Sequence, residues 1–422
     1  MIATIEPSEI NGTIKAPSSK SAMQRACALA LLNNGKTIIY NPGKSNDDNV
    51  ALNIIRELGA TVTGDSEKII VDSNGQVTSN RHINCGESGL SLRMFAPIAS
   101  LTNSTVLITG TGTLLKRPMH LPVEVFLSLN VKIESKDDFL PIKISGRLIP
   151  GNISVDGSQT SQYLTGLLFS IAKTVKQPVC IKVADLKSKP YIDLSLQMLA
   201  HFGYDVSHDN YREFYLRPVE QKVKNINYHT EADWSSASFL FVAGAIAGSV
   251  SLQGLDIHSV QADKAIIHVL QQCNANIKIE QNSISVKSGN SLQAFEFDAT
   301  DSPDLFPPLA VLAAYCSGTS TIHGVSRLVT KESNRAETLQ EVFSKMGVKI
   351  ILKNDKMLIK GGPIYSAIVA SHHDHRIAMA CAIAALGAEG KMIIQDADAV
   401  NKSYPAFYAH LKMLGASVSL SG

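Results

Sequence analysis

The stretch ELGATV at residues 57–62 indicates the fold, because its pattern recurs along the chain. It joins the end of an amphipathic helix to a strand through a single Gly. The same order of helix end, Gly or Asn, small or apolar residue and strand recurs along the chain. Its other copies are SLNVKI at 128–133, HFGYDV at 201–206, QCNANI at 272–277, KMGVKI at 345–350 and MLGASV at 413–418. Gly and Asn tolerate the left-handed conformation that closes a helix, and successive turn residues are 68 to 73 positions apart. The chain is therefore predicted to consist of six repeats.

A second series of segments recurs with the same spacing as these turns. Each is a helix rich in Ala and Leu that runs through a polar turn into a β-branched strand, as at residues 22–40, 239–252 and 377–395. A hairpin such as 348–360 follows in most repeats, so one repeat is predicted as helix, strand, helix, strand, strand. The last repeat lacks a return strand, and we expect the strand-like residues 1–10 to complete it.

The repeats predict an α/β (α+β) protein of two lobes with three repeats in each. We place the first lobe at 14–228, and the second at 1–13 and 229–422, closed by the N-terminal strand. A cleft between equivalent lobes is a favoured place for a ligand, so we expect the functional residues there.

Composition restricts the class of protein. A length of 422 residues, with 45% hydrophobic and 18% charged residues, is typical of a globular protein of about two to four domains. A formal net charge of +2, without a block of like charge, gives no indication of a nucleic-acid partner. The 6 cysteines are scattered without a zinc or disulfide pattern, so we expect reduced thiols. Neither a signal peptide nor a bilayer-spanning run is evident, and we expect a cytoplasmic protein without a membrane partner.

Polar and cationic residues stand at the starts of the Ala-rich helices, and they indicate where the chemistry lies. These starts are Ser18-Ser19-Lys20-Ser21 with Arg25, Ser88-Gly89-Leu90-Ser91 with Arg93, Thr160-Ser161-Gln162, Asp233-Trp234-Ser235-Ser236 and Asp374-His375-Arg376. Ser, Thr and Asp are ordinary N-caps, but a cation opposes the helix dipole at this end. Several helices that begin with cations therefore indicate convergent binding of anions.

Further charged clusters lie in predicted loops and helix starts. They are Lys116-Arg117-Pro118, Lys331-Glu332-Ser333-Asn334-Arg335 and Asn401-Lys402-Ser403-Tyr404-Pro405. Alone, the K-E-x-x-R pattern is typical of a solvated helix face. The nearby Asp301 and Asp304 add carboxylates, which beside several cations suit acid and base work on an anionic substrate. The histidines at 372, 373 and 375 match no usual zinc spacing, so no metal site is predicted.

Together these motifs resemble those of the 5-enolpyruvylshikimate-3-phosphate synthase family, the 3-phosphoshikimate 1-carboxyvinyltransferases, in order and over the full length. The resemblance is carried by Lys20-Ser21-x-x-x-Arg25, Ser88-Gly89-x-x-x-Arg93, Arg117-Pro118, Ser161-Gln162-Tyr163-Leu164-Thr165, Ser188-Lys189-Pro190-Tyr191-Ile192-Asp193, Lys331-Glu332-x-x-Arg335, Asp374-His375-Arg376 and Lys402-x-x-Pro405. It implies a two-lobed inside-out α/β barrel of six βαβαββ-type repeats, three per lobe. It also implies a transferase of the shikimate pathway, which leads to chorismate and the aromatic amino acids. Such an enzyme moves the enolpyruvyl group of phosphoenolpyruvate to the 5-hydroxyl of shikimate 3-phosphate.

The resemblance assigns a role to individual residues. Those implied to hold shikimate 3-phosphate are Ser21, Arg25, Thr160, Ser161, Gln162, Ser188, Asp304 and Lys331. Those implied to hold phosphoenolpyruvate are Lys20, Gly89, Arg117, Gln162, Arg335, Arg376 and Lys402. Asp304 and Glu332, helped by Lys20, are the candidates for moving protons, and Asp301 is a second candidate for the base. We expect small-molecule substrates only, neither a metal nor an organic cofactor, and a monomer.

This sequence departs from the family pattern near the implied phosphoenolpyruvate site. Glu87-Ser88-Gly89-Leu90 stands where many members have Asn-Ala-Gly-Thr, Thr160 where Ser is common, and Asn334 where Asp is common. The resemblance also implies that Gly89 borders the site of glyphosate, a competitor of phosphoenolpyruvate.

Two other functions are compatible with the same fold. The first is enolpyruvyl transfer to UDP-N-acetylglucosamine, in whose family the loop at 112–117 usually carries a Cys that is missing here. The second is a catalytically inactive protein that binds small anions, because a fold does not determine a function.

Overall fold

The computed structural model describes residues 1–78, 82–220 and 224–422. Within these ranges, several of the longer helices are rich in Ala and Leu, while the shortest ones end just before a repeat turn, at Asn130, Asn274 or Gly415. The helices are α1 (Lys20–Leu32), α2 (Asn46–Glu57), α3 (Gly89–Ala99), α4 (Val123–Ser128), α5 (Gln162–Thr174), α6 (Lys189–His201), α7 (Trp234–Ala247), α8 (Ile266–Gln272), α9 (Phe306–Tyr315), α10 (Arg335–Lys345), α11 (His375–Leu386) and α12 (Phe407–Met413). None of them is long and apolar enough to cross a membrane.

The strands are short and alternate between buried and exposed side chains. In the first half of the chain they are β1 (Ile2–Ile5), β2 (Ile10–Lys15), β3 (Asn34–Tyr40), β4 (Thr61–Gly64), β5 (Lys68–Asn74), β6 (His82–Asn84), β7 (Val106–Thr109), β8 (Lys132–Lys136), β9 (Phe139–Ser145), β10 (Ile153–Asp156), β11 (Val179–Ala184) and β12 (Asp205–Asp209). In the second half they are β13 (Glu213–Arg217), β14 (Ile226–His229), β15 (Gly248–Gln253), β16 (Asn276–Ile279), β17 (Ser283–Lys287), β18 (Glu296–Asp298), β19 (Thr319–His323), β20 (Lys349–Lys353), β21 (Lys356–Lys360), β22 (Tyr365–Ala370), β23 (Glu389–Gln395) and β24 (Val418–Ser421).

These strands form four-stranded sheets that share one topology. In each sheet an outer strand pairs parallel with its neighbour, and the two remaining pairings are antiparallel. The strand orders are β14-β3-β5-β4, β6-β7-β9-β8, β10-β11-β13-β12, β2-β15-β17-β16, β18-β19-β21-β20 and β22-β23-β1-β24. The N-terminal strand β1 lies between β23 and β24, so it completes the sheet of the last repeat.

The chain divides into two compact units. The first unit is Ser18–Thr230, and the second unit is Met1–Pro17 together with Glu231–Gly422. The expected boundary after residue 13 falls inside β2, which pairs with β15 along its whole length, so this strand stays undivided and the boundary follows it. The expected boundary after residue 228 moves by two residues, because Thr230 still donates a backbone hydrogen bond to Tyr40 of the first unit.

Within each unit the Ala-rich helices form the interior and the sheets lie outside them. Every residue of α11 is buried, and α1 is buried from Ala22 onward, whereas β9 and the other hairpin strands expose alternate side chains. A helix that is apolar all round belongs in a core rather than on a surface. The units are thus inside-out α/β structures, and in the described ranges their sheets stay separate rather than closing into one hydrogen-bonded barrel.

Candidate active site

The start of α1 in the first unit carries the ammonium group of Lys20, which forms an ion pair with Asp47. Lys20 is the first residue of the helix, and Ser19 caps it by accepting a hydrogen bond from the Ala22 N–H. The Nζ of Lys20 lies 3.0 Å from Oδ2 of Asp47, which is buried in the first turn of α2. Asp47 therefore holds the ammonium in place at the helix start.

One turn further along α1, the Arg25 guanidinium is surrounded by uncharged acceptors. Its Nε donates to Oγ of Ser195 at 2.9 Å, one Nη donates to the Ser21 carbonyl at 2.9 Å and the other to the Tyr191 carbonyl at 3.3 Å. These contacts leave one N–H on each Nη nitrogen for a ligand. Arg25 is 1% exposed, and burial lowers its pKa to about 10.

Two further guanidinium groups lie against the start of α3. Ser88 caps this helix by accepting a hydrogen bond from the Ser91 N–H, and Gly89 is its first residue. A Cβ atom at Gly89 would lie 3.1 Å from a terminal nitrogen of Arg93 and of Arg117. The missing side chain thus leaves the backbone of a helix start facing two cations, which suits the close approach of an anion.

The Glu87 carboxylate stabilises the turn before Arg117. In the sequence, Glu87 was visible only as a difference from the family pattern. Glu87 accepts a hydrogen bond from the Thr113 hydroxyl at 2.9 Å, within a 3₁₀ turn at Gly112–Lys116. Gly112 has a φ of +54°, and a Cβ atom there would overlap the Glu87 carboxylate. Glu87 therefore fixes the turn that delivers Arg117.

The starts of α5 and α6 supply uncharged groups. The Thr160 hydroxyl accepts a hydrogen bond from the Gln162 N–H at 3.2 Å, and Ser161 is buried at the N-cap of α5. Oε1 of Gln162 accepts a hydrogen bond from Arg93 at 3.1 Å. Ser188 precedes α6 in the left-handed conformation, with a φ of 56°, and is 5% exposed.

In the second unit, Asp304 is the carboxylate on which cations converge. Its Oδ1 lies 2.9 Å from Arg335 and 3.5 Å from Lys331, while its Oδ2 lies 2.9 Å from Arg376. Burial alone would raise the pKa of Asp304, but these three cations hold it well below its usual range. Asp304 is thus ionised at neutral pH, and Asp301 lies one turn earlier in the chain.

Arg335, the first residue of α10, is enclosed by carboxylates. Its Nε and one Nη contact Asp374 at 2.8 and 3.2 Å, and the same Nη contacts Glu332 at 2.7 Å. The other Nη donates to Asp304, so four of the five N–H groups of Arg335 form hydrogen bonds. Burial would lower the pKa of this guanidinium, yet the carboxylates raise it above its usual value.

Asp374 connects two helix starts, a role that the sequence analysis did not assign. It is fully buried, caps α11 by accepting a hydrogen bond from the Arg376 N–H at 3.0 Å, and binds Arg335 in bidentate fashion. The motif of an Asp before His-Arg was visible in the sequence, but a side chain that both caps one helix and orients a cation of another requires tertiary structure.

The remaining cations of the second unit differ in setting. Lys331 is about a quarter exposed, and burial lowers its pKa to about 8, although Asp304 acts in the opposite direction. Lys402 is 5% exposed at the end of a 3₁₀ helix, Ala397–Lys402. Of the histidines, His372 pairs with Glu341 at 3.2 Å. In the described ranges, no group of three or more His, Cys, Asp or Glu side chains could hold a metal ion.

Comparison with solved structures shows the fold of the chain. An EPSP synthase from Acinetobacter baumannii matches with a TM-score of 0.82 and 24% identity, over 99% of this chain and 100% of that chain. The enolpyruvyl transferase NikO from Streptomyces tendae matches with a TM-score of 0.76 and 16% identity, over 99% and 98% of the two chains. The fold is therefore the two-domain inside-out α/β fold of enolpyruvyl transferases.

Comparison with curated sequences defines the family. The 3-phosphoshikimate 1-carboxyvinyltransferase of Clostridium perfringens (strain ATCC 13124) is 35% identical over 97% of both chains. That of Clostridium novyi (strain NT) is 35% identical over 98% of this chain and 97% of its own. The profile of the family EPSP synthase (3-phosphoshikimate 1-carboxyvinyltransferase) matches residues 5–411. The chain belongs to the EPSP synthase family.

Proposed function

We propose that this transferase moves the enolpyruvyl group of phosphoenolpyruvate to the 5-hydroxyl of shikimate 3-phosphate and releases phosphate. The proposal is carried by one observation: the cations that the family pattern requires are all present, and most are buried at or near helix starts in both units. Two anionic substrates need such groups, because guanidinium binds phosphate and carboxylate in bidentate fashion. We also propose that it acts as a monomer in the cytoplasm, without nucleic acid, membrane or cofactor.

Shikimate 3-phosphate is assigned chiefly to groups of the first unit. They are Ser21, Arg25, Thr160, Ser161, Gln162 and Ser188, to which the second unit adds Lys331 and Asp304. The assignment is supported by Arg25, since its described partners are all uncharged and a phosphate would be its first anionic partner.

Phosphoenolpyruvate is assigned to groups of both units. They are Lys20, Gly89, Arg117 and Gln162 of the first unit and Arg335, Arg376 and Lys402 of the second. Support comes from the α3 start, where the absence of a Cβ atom at Gly89 lets the guanidinium groups of Arg93 and Arg117 lie close to the backbone of a helix start.

The proposed reaction is an addition followed by an elimination. The 5-oxygen attacks C2 of phosphoenolpyruvate and gives up its proton, while C3 gains a proton and becomes a methyl group. The methyl group then loses a proton as the bond from C2 to the phosphate oxygen breaks. Asp304 is ionised, so it accepts the hydrogen bond and then the proton of the 5-hydroxyl group. Glu332 and Lys20 donate the proton to C3 and later remove a proton from the methyl group.

A two-substrate assay tests this function. We expect phosphate release only when shikimate 3-phosphate and phosphoenolpyruvate are both present, with a product of the mass of the enolpyruvyl ether. Release with UDP-N-acetylglucosamine instead of shikimate 3-phosphate would identify the other transferase activity. Binding of both substrates without phosphate release would identify an inactive anion-binding protein.

A further inference from the structure

A buried amide joins two helix starts of the first unit. Gln24 lies on α1 between Lys20 and Arg25, and its side chain is fully buried. Its Oε1 accepts hydrogen bonds from Oγ of Ser91 at 2.9 Å and from Oγ of Ser88 at 3.3 Å. Both serines are fully buried and stand at the start of α3.

This arrangement leaves the amide incompletely satisfied. In the part of the chain that the structure describes, Nε2 of Gln24 is buried without a hydrogen-bond partner. Serine hydroxyls both donate and accept, so exchanging the amide O and N would keep the link but still leave one amide group without a partner. A buried polar group without a partner costs stability, whereas an apolar side chain of equal size would not. Packing alone therefore does not account for glutamine here.

Both of the linked helix starts carry groups that are assigned to phosphoenolpyruvate. The α1 start carries Lys20, and the α3 start carries Gly89 against the guanidinium groups of Arg93 and Arg117. A hydrogen-bonded link between buried groups has strict distance requirements, so it sets how far apart these two starts lie.

We propose that Gln24 is a positioning residue for the smaller anionic substrate: through Ser88 and Ser91 it holds the α3 start at the distance from Lys20 that phosphoenolpyruvate requires. This inference rests on the proposed function. Gln24 acts through its neighbours and, being fully buried, does not itself touch the substrate.

Substitutions that keep the volume but remove the link test the inference. Gln24→Met retains the length of the side chain and removes both acceptor bonds. We expect kcat/KM for phosphoenolpyruvate to fall by about 10- to 30-fold, the scale of a small misplacement of reacting groups. The Kd for shikimate 3-phosphate should stay within about twofold, since Gln24→Met removes none of the bonds from Ser195, Ser21 and Tyr191 that hold the Arg25 guanidinium.

Two serines of α3 provide a matched comparison. Ser91→Ala should reproduce part of the loss, and the double variant with Gln24→Met should be no worse than Gln24→Met alone, because the two side chains act as one link. Ser100→Ala removes an equally buried serine at the other end of α3, whose hydroxyl bonds only to the Pro97 carbonyl among its described contacts, and should leave both constants unchanged.

The outcomes separate the inference from the proposed function. If the unmodified protein does not turn over the two substrates, the proposed function fails. If it does, and Gln24→Met changes neither constant or weakens both substrates equally, Gln24 is a packing residue and the inference is overturned. Additive losses in the double variant would also overturn it.

Discussion

Two arginines that are equally buried have opposite surroundings in the two units. Arg25 in the first unit and Arg335 in the second are each 1% exposed. The described partners of Arg25 are a hydroxyl and two carbonyls, whereas those of Arg335 are the carboxylates of three acidic residues. Accordingly the pKa is lowered for Arg25 and raised for Arg335.

The difference separates an arginine whose charge meets only uncharged described partners from one whose charge is shared with carboxylates. The charge of Arg25 is not compensated by its described partners, so an incoming phosphate gains its full attraction. The charge of Arg335 is already compensated, and its structural effect is to hold Asp304 and Glu332 in fixed positions. We therefore expect Arg25 to contribute more anion affinity than Arg335, which instead orients the carboxylates of Asp304 and Glu332.

The largest expected effect concerns stability. Arg335→Met removes a cation that three carboxylates share, one of them fully buried, and should reduce the free energy of unfolding by about 3–5 kcal/mol. Arg25→Met removes a desolvated charge from uncharged acceptors and should cost only about 1 kcal/mol. Native-state hydrogen exchange of α10 and α1 would measure each change in its own unit. Equal losses would show that the two surroundings do not differ energetically.

The next effect concerns catalysis by cations of the first unit. Lys20→Ala and Arg117→Ala should each lower kcat/KM for phosphoenolpyruvate by about 100- to 1,000-fold, the scale of losing a charge-stabilising donor. Lys116→Ala is the matched control, because Lys116 is the exposed neighbour of Arg117 in the same turn. A comparable loss in the control would mean that the turn, rather than the buried guanidinium, is required.

A smaller effect is expected at the α3 start. The Cβ atom of Gly89→Ala would lie 3.1 Å from two guanidinium nitrogens, so these side chains must shift. We expect KM for phosphoenolpyruvate to rise by about fivefold and the inhibition constant of glyphosate to rise by a larger factor, because glyphosate is the longer molecule. Steady-state inhibition kinetics would measure both constants. If KM and the inhibition constant rise by the same factor, Gly89 is needed only for the backbone conformation.

The smallest effect is a shift in pH dependence. Burial lowers the pKa of Lys331 to about 8, so its positive charge is present below that pH and is lost as the pH rises through it. The kcat/KM for shikimate 3-phosphate should therefore fall above about pH 8, by about tenfold per pH unit. Lys331→Arg should move this fall to higher pH, whereas Lys345→Arg, at an exposed lysine, should not. If kcat/KM falls at the same pH in Lys331→Arg as in the unmodified protein, the fall is caused by a group other than Lys331.

Much of the fold could be predicted from the sequence, because the repeated helix end with Gly or Asn is a local signal. The extension of β2 to Lys15 could not, since pairing with β15 determines it. At the site, the cations of the helix starts were visible as residues that oppose the helix dipole. The structural roles of Glu87, Asp374 and Gln24 were not visible, because each bonds residues distant in the chain.

We expect Arg25 to supply anion affinity, whereas the charge of Arg335 is already compensated by carboxylates. Calorimetric titration of shikimate 3-phosphate, without phosphoenolpyruvate, into the unmodified protein, Arg25→Met and Arg335→Met tests it most directly. The Kd should rise by about 100-fold in Arg25→Met, the value of a charge-assisted hydrogen bond to phosphate, and by less than about tenfold in Arg335→Met. Equal losses, or the larger loss in Arg335→Met, would contradict it.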